Sequence, residues 1–109
     1  MAYSPDGGYL ATASTDHTLK IWDTVTLTLV AHLEGHTGAV RSCAFSPTSQ
    51  HLVSVSADHT VRIWQAATGE CLTALRAAYP LHGCDWHPHK NIITATGVGG
   101  IYHMNYLHT

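Results

Sequence analysis

Charged residues are scarce in this sequence: Asp, Glu, Lys and Arg make up 11% of its 109 residues, with 7 acidic against 5 basic side chains. No basic run is present to displace counterions from a phosphate backbone, so we expect no direct binding to nucleic acid. Apolar runs are also short and stay far below the roughly 18 residues that span a bilayer, so no membrane segment is expected. The length predicts one small hydrophobic core.

Cysteine is sparse as well, and the first residues lack the features of a secretion signal. The three cysteines are odd in number and widely spaced, and "MAYSPDGG" has neither the charged region nor the apolar stretch of a signal peptide. These features indicate a reducing compartment, and we expect a cytoplasmic or nuclear protein, or both. Cys43, Cys71 and Cys84 are expected to be small, buried apolar side chains.

Helical periodicity is absent too, and the local pattern is β throughout. Residues alternate along short segments rich in β-branched side chains, and Pro, Gly, Asp and Ser stand between those segments, where tight turns need them. We predict antiparallel strands near Val40–Phe45, His51–Ser56, Thr60–Trp64 and Cys71–Leu75.

The sequence does contain an internal repeat. The segment "ATASTDHTLKIWD", which begins at Ala11, returns as "VSVSADHTVRIWQ", which begins at Val53, 42 positions later. Residues 2–22 and 44–64 share ten identities in 21 aligned positions. Such a repeat indicates similar structural units that stack side by side.

A third, weaker copy follows the second. It runs over Cys84–Asn105, and with a one-residue deletion its Ile92–Thr96 aligns with Leu52–Ser56. On this alignment the Asp and the Trp shared by the first two copies are replaced by Val98 and Met104.

The second copy resembles a WD40 repeat. Its "EGHTGAV…AFSP…LVSVSADHTVRIWQ" places Gly35-His36 and Trp64-Gln65 at the spacing of that family's Gly-His and Trp-Asp pairs, and Trp22-Asp23 supplies the closing pair in full. The resemblance implies an all-β fold of β-propeller blades, each a four-stranded antiparallel sheet. A propeller needs roughly 4–8 blades to close, so about two and a half repeats imply an incomplete propeller.

By this resemblance the chain divides into three units. Residues 1–34 are a partial repeat that lacks its first strand and its Gly-His pair, residues 35–76 are a complete repeat, and residues 77–109 are a degenerate, partial repeat. In this family the last blade commonly takes its outer strand from the N-terminus of the same chain. We therefore expect a C-terminal fragment or a short product of a larger WD40 protein, with the missing propeller blades in the parent chain.

The resemblance also implies a hydrogen-bonded group of four side chains in each blade: the His of the Gly-His pair, a Ser or Thr of the second strand, the Asp of the next turn and the Trp of the third strand. A turn Asp is costly to bury unpaired, and an imidazole N–H with backbone amides supplies its donors. The third copy is expected to retain only Thr94. The matching residues are His36, Ser54, Asp58 and Trp64 in the second copy and Thr12, Asp16 and Trp22 in the first, which has no His.

The implied function is a non-catalytic scaffold on which other proteins or peptides assemble, with no enzymatic activity, cofactor or metal. The alternative is a structural or regulatory repeat segment of a multidomain signalling ATPase or of a ubiquitin-ligase substrate receptor. The rim through which this family contacts partners corresponds here to Ala39, Arg41, Ala57 and Thr15. Arg41 is the side chain among them that can fork onto a partner's carboxylate.

The ten histidines raise two competing hypotheses for "CDWHPH": a metal site with Cys84, His87 and His89 as ligands, or a nucleophile set of Cys84, Asp85 and His87. Alternate residues of a strand point to opposite faces, so Cys84 faces away from His87, and no second ligand pair with zinc spacing is present. Structural or solvated positions are therefore favoured. His17 and His59 occupy the same place in two copies and are interpreted as turn residues.

Overall fold

The computed structural model describes residues 2–13, 16–77, 80–86, 92–97 and 100–105, with side chains described as far as residue 101. These residues form eleven β-strands and no helix. The strands are β1 Ala2–Tyr3, β2 Tyr9–Ala13, β3 Leu19–Asp23, β4 Leu29–Leu33, β5 Val40–Phe45, β6 His51–Ser56, β7 Thr60–Gln65, β8 Cys71–Arg76, β9 Leu81–Trp86, β10 Ile92–Gly97 and β11 Gly100–Asn105.

The strands form three antiparallel sheets in chain order. The first sheet consists of β1 to β4, the second of β5 to β8, and the third of β9 to β11 with β10 in its centre. The predicted all-β class with antiparallel four-stranded sheets is confirmed. The first repeat, expected to lack its first strand, contains two residues of it as β1, which pairs with β2.

The strands of the second sheet begin and end close to the predicted residues. β5 and β6 have the predicted limits, and β7 and β8 each extend one residue further, to Gln65 and Arg76. The turn after β5 closes with a bond from the N–H of Ser46 to the carbonyl of His51 at 2.8 Å. Pro47 follows Ser46 in this turn, where its fixed φ suits the reversal and its missing N–H costs no ladder bond.

β6 lies at the centre of the molecule, and all six of its residues are buried. Leu52 belongs to a hydrophobic cluster shared with the first sheet, whereas Val53 and Val55 belong to a cluster shared with the third sheet. The expected single core is therefore wrong: the described residues form two clusters, one on each face of the second sheet. Successive strand residues point to opposite faces, so a sheet covered on both sides has a core on both.

The third sheet corrects the alignment of the third repeat. Ala95 pairs with Cys84 as Ser54 pairs with Cys43, so β10 aligns with β6 without a deletion. The expected match of Thr94 to Ser54 is therefore wrong, because the apolar Ala95 occupies that position. Thr94 points to the opposite face of its strand.

The one-residue deletion of the third repeat lies instead in the turn after β10. Gly97 pairs directly with Gly100, which leaves two residues between β10 and β11, whereas three residues separate β6 from β7. Met104 keeps the strand position expected for the counterpart of Trp64. Val98, expected at the position of the turn Asp, lies outside the described residues.

The three cysteines differ in burial. Cys43 on β5 is buried and Cys84 on β9 is partly buried, but Cys71 at the start of β8 is exposed. The expected burial of Cys71 is wrong. β8 is an edge strand of the second sheet, and no further strand pairs with it in the part of the chain that the structure describes.

Candidate functional site

His36 is buried in the segment between β4 and β5 and joins a strand to a turn of the second sheet. Its Nδ1 lies 3.0 Å from Asp58 Oδ2, and its Nε2 lies 2.7 Å from Ser54 Oγ. Trp64 Nε1 donates to the same Ser54 Oγ at 2.8 Å. The structure thus brings together the four residues that the sequence places in one hydrogen-bonded group, here called the polar group.

A neutral His36 satisfies every bond of the polar group. With its proton on Nδ1 the ring donates to Asp58 and accepts the hydroxyl proton of Ser54, whose oxygen remains free to accept from Trp64. A second proton on Nε2 would compete with Trp64 for that oxygen and leave the Ser54 hydroxyl without its acceptor. Burial lowers the pKa of His36, against the opposing effect of the Asp58 carboxylate.

Asp58 lies in the turn between β6 and β7 and accepts several further hydrogen bonds. The N–H groups of Thr37 and Thr60 each donate to it at 2.9 Å, and the Thr60 hydroxyl also donates. Burial raises the pKa of Asp58, but the bonds from Thr60, Thr37 and His36 outweigh burial and hold that pKa well below its usual range. Thr60 was not among the predicted residues, although the repeated "DHT" was a signal for it.

The first repeat retains part of the same arrangement. Trp22 Nε1 donates to Thr12 Oγ1 at 3.3 Å, and Asp16 accepts from the N–H and the hydroxyl of Thr18 at 3.2 and 2.6 Å. Trp22 is only partly buried, whereas Trp64 is 1% exposed. The longer bond and the more exposed ring indicate a weaker version of the group.

The turn that carries Asp58 also fixes the rim of the second sheet. The Ser56 hydroxyl donates to the carbonyls of Gly38 and Ala39 at 3.0 and 2.9 Å, and the N–H of Ala57 donates to the Ala39 carbonyl at 2.9 Å. Gly38 approaches so closely that a Cβ on it would lie 2.8 Å from the backbone nitrogen of Asp58. Ala39 and Ala57 are therefore held next to each other on a rigid backbone.

Arg41 is an exposed residue in a β-bulge beside this rim. The register of β5 on β6 passes from Val40 directly to Ser42, so Arg41 has no partner residue on β6. A bulge bends its strand locally and re-aims the side chain. Within the described residues, no ion pair involves Arg41. Thr15, the remaining predicted contact residue, lies outside them.

The "CDWHPH" segment shows no reactive arrangement in its described part. Burial raises the pKa of the Cys84 thiol to about 12, and its Sγ lies 3.8 Å from the Val53 carbonyl. Cys84 is partly buried and Asp85 exposed, as expected for opposite faces of β9. His87 and His89 lie outside the described residues. Across the described ranges, no group of three or more His, Cys, Asp or Glu residues could hold a metal ion.

His17 and His59 are turn residues, as predicted. Their φ angles are 78° and 71°, in the left-handed region that short turns require. The N–H of His59 donates to the Ser56 carbonyl at 3.2 Å and closes the turn that carries Asp58.

Comparison with known proteins identifies the family. A family model described as "WD domain, G-beta repeat" (WD40) matches residues 1–23 and 27–65, more than half of the chain. A search of curated proteins gave no significant match. The described residues contain no helix that could cross a bilayer. WD40 repeats are generally protein-interaction scaffolds without catalytic activity. The chain belongs to the WD40-repeat family.

Proposed function

We propose that this chain is a non-catalytic binding module whose rim at Ala39, Arg41 and Ala57 contacts a carboxylate-bearing segment of a partner protein. The observation that carries the proposal is the bulge at Arg41, which leaves an exposed guanidinium with no ion pair among the described residues. A guanidinium presents paired N–H donors that match the two oxygens of a carboxylate.

The rim suits binding because its backbone is already ordered. The bonds from Ser56 and Ala57 fix the segment after the Gly-His pair, so a partner loses little affinity to loop ordering. Ala39 and Ala57 have small side chains, which allow a partner's backbone to approach the rim. The free thiols of Cys43, Cys71 and Cys84 support the cytoplasm or nucleus as the place of binding.

The test uses peptides selected from a displayed random library against the full chain. We expect selected peptides to contain Asp or Glu, and Arg41→Ala to weaken their binding by about fivefold or more, measured by fluorescence anisotropy. Arg41→Lys should restore part of the loss, because an ammonium keeps the charge without the planar fork. Arg76→Ala is the matched control, since Arg76 is also exposed but ends an outer strand.

Equal affinity for wild-type and Arg41→Ala would contradict this role of Arg41, and so would an equal loss in Arg76→Ala. Selected peptides without Asp or Glu would contradict the carboxylate partner.

A further inference from the structure

A cavity of about 470 Å³ opens between the first and second sheets, at the end of β5 opposite to Arg41. The turn after β1, the turn after β5 and the end of β7 line it. We call it the inter-sheet cavity, and its lining includes Asp6, Tyr9, Thr48, Gln50 and Gln65.

Asp6 is held firmly at the edge of this cavity. Its Oδ1 accepts from the Ser4 hydroxyl at 2.6 Å and from the N–H of Gly8 at 2.9 Å. Its own N–H donates across the sheet boundary to Ser49 Oγ at 3.3 Å. The Ser49 hydroxyl also interacts with this carboxylate. Asp6 is nevertheless exposed, so a ligand can still reach its carboxylate oxygens. The bonds from Ser4 and Gly8 also lower the pKa of Asp6, which keeps the carboxylate charged near neutral pH.

Tyr9 gives the cavity an aromatic wall. Its ring stacks on that of Phe45, with centroids 6.3 Å apart and planes inclined by 14°. Phe45 is buried in the core, so this contact fixes the Tyr9 ring. A carboxylate beside an ordered aromatic ring favours a cationic group, since the ring face attracts positive charge.

The surrounding charge points the same way. In the first two sheets, the four turns at this end (residues 4–8, 24–28, 46–50 and 66–70) contain Asp6 and Glu70 and no Lys or Arg. An approaching cation therefore meets no described positive side chain in these turns. A single carboxylate in the lining is too few for a calcium or magnesium site, whose ligands are several oxygens around one ion.

A smaller, apolar cavity lies beside the first. It measures about 340 Å³ and is lined by Pro5, Phe45, Pro47 and Trp86. Pro5 precedes Asp6 in the chain, and Phe45 stacks on Tyr9, so the two cavities are adjacent across these residues. One extended segment can reach both cavities if it carries a cationic and an apolar residue close together.

We propose that this end of the molecule binds an extended segment of a partner protein that inserts an arginine side chain into the inter-sheet cavity and an adjacent apolar side chain into the smaller one. The guanidinium binds the Asp6 carboxylate and lies against Tyr9, and its further N–H groups find acceptors on Thr48, Gln50 and Gln65. Several acceptors spread around one cavity suit the five donors of arginine better than the three of lysine. This site does not depend on the rim at Arg41.

The test compares fluorescein-labelled Gly-Leu-Arg-Leu-Gly with the same peptide carrying citrulline, the neutral isostere of arginine, in place of arginine. We expect the full chain to bind the arginine peptide about fivefold more tightly than the citrulline peptide, by fluorescence anisotropy at low salt. Asp6→Asn should remove this preference while its Oδ1 still accepts from Ser4 and Gly8. Glu70→Gln removes the same charge from outside the cavity lining and should keep the preference.

Equal binding of the arginine and citrulline peptides to the wild-type chain, or no binding of either, would overturn the proposal. A Glu70→Gln effect equal to that of Asp6→Asn would show general charge attraction in place of a site. Equal binding of a lysine peptide would overturn the assignment to arginine. The comparison of peptides on the wild-type chain decides the question even if Asp6→Asn fails to fold by circular dichroism.

Discussion

Leu27 has a left-handed backbone conformation, and the matching position of the second repeat is a glycine with a similar conformation. Its φ is 58° and its side chain is 78% exposed, while Gly69, at the same place in the next repeat, has a φ of 76°. The N–H of Leu27 donates to the carbonyl of Asp23 at 2.9 Å, and the N–H of Gly69 donates to the carbonyl of Gln65 at 2.8 Å. A leucine at this position has a strained backbone, and its exposed side chain gains little stabilisation from burial.

Leu27→Gly should therefore raise the free energy of unfolding by roughly 0.5–1 kcal/mol. This is the strain energy that is relieved minus the cost of ordering the more flexible glycine backbone. Chemical denaturation at low protein concentration measures it. Leu29→Gly is the control: Leu29 is also exposed but lies in β4, so glycine there should lower stability by about 1 kcal/mol. Destabilisation by both substitutions would show that Leu27 is not strained.

His36 makes stability depend on pH. Burial lowers its pKa in the folded state, so below its unfolded pKa the unfolded chain binds a proton that the folded chain does not. Stability should fall as pH falls through the ordinary titration range of histidine, and again at acidic pH as the unfolded Asp58 takes up a proton that the folded one resists. His36→Gln should flatten the first decline in denaturation curves from pH 7 to 5, whereas the exposed His32→Gln should flatten it less.

At the scale of the element, the polar group ties the second strand, the next turn and the third strand of the second sheet into one unit. Asp58→Ala leaves the N–H groups of Thr37 and Thr60 unpaired and leaves His36 Nδ1 with the Thr60 hydroxyl, 3.0 Å away, as its partner, so it should cost about 1.5–3 kcal/mol. Trp64→Ala also opens a cavity and should cost about 3–5 kcal/mol.

The two costs should not add, because both residues act through His36 and Ser54. A double-mutant cycle by chemical denaturation measures the coupling, which we expect to exceed about 0.5 kcal/mol. Asp16→Ala with Trp64→Ala is the matched control cycle, since Asp16 belongs to the first sheet. Full additivity of Asp58→Ala and Trp64→Ala would contradict a shared network.

The sequence predicts strands accurately where turn residues flank a segment of clearly alternating side chains, as in β5 and β6. The prediction fails in the third repeat, which lacks the Asp and the Trp that the first two repeats share. There, strand pairing shows that Ala95, and not Thr94, lies opposite Cys84. The bulge at Arg41 depends on the register of two strands, which one strand's residues do not specify. The exposure of Cys71 depends on which elements pack against β8, and the residue type alone does not indicate this.

At the scale of the whole molecule, the second sheet is the one sheet whose two faces are both covered by described residues. The first sheet packs one face on it and leaves Trp22 partly exposed on the other, and Ile101 at the start of β11 is 66% exposed. No described strand pairs with the outer side of β11, which makes it an edge strand of the third sheet. The segment "NIITAT", residues 91–96, is uncharged, lacks Pro and is rich in β-branched side chains, which is the composition of an aggregation-prone segment. Residues 92–96 belong to β10, the central strand of the third sheet, so pairing with another chain through them requires that sheet to open.

We expect the isolated 109-residue chain to self-associate, because repeat units depend on neighbours for stability and, among the described residues, each outer sheet shares a hydrophobic cluster with the second sheet alone. Size-exclusion chromatography with light scattering should show concentration-dependent oligomers, and hydrogen exchange at residues 101–105 should be fast in the dilute chain. Ile101→Lys places a charge on the edge strand and should reduce association, whereas Val25→Lys, at a residue that is even more exposed but lies in a turn, should reduce it less. A sharp monomer at all concentrations, with strong protection at residues 101–105, would show that β11 is stable as an edge.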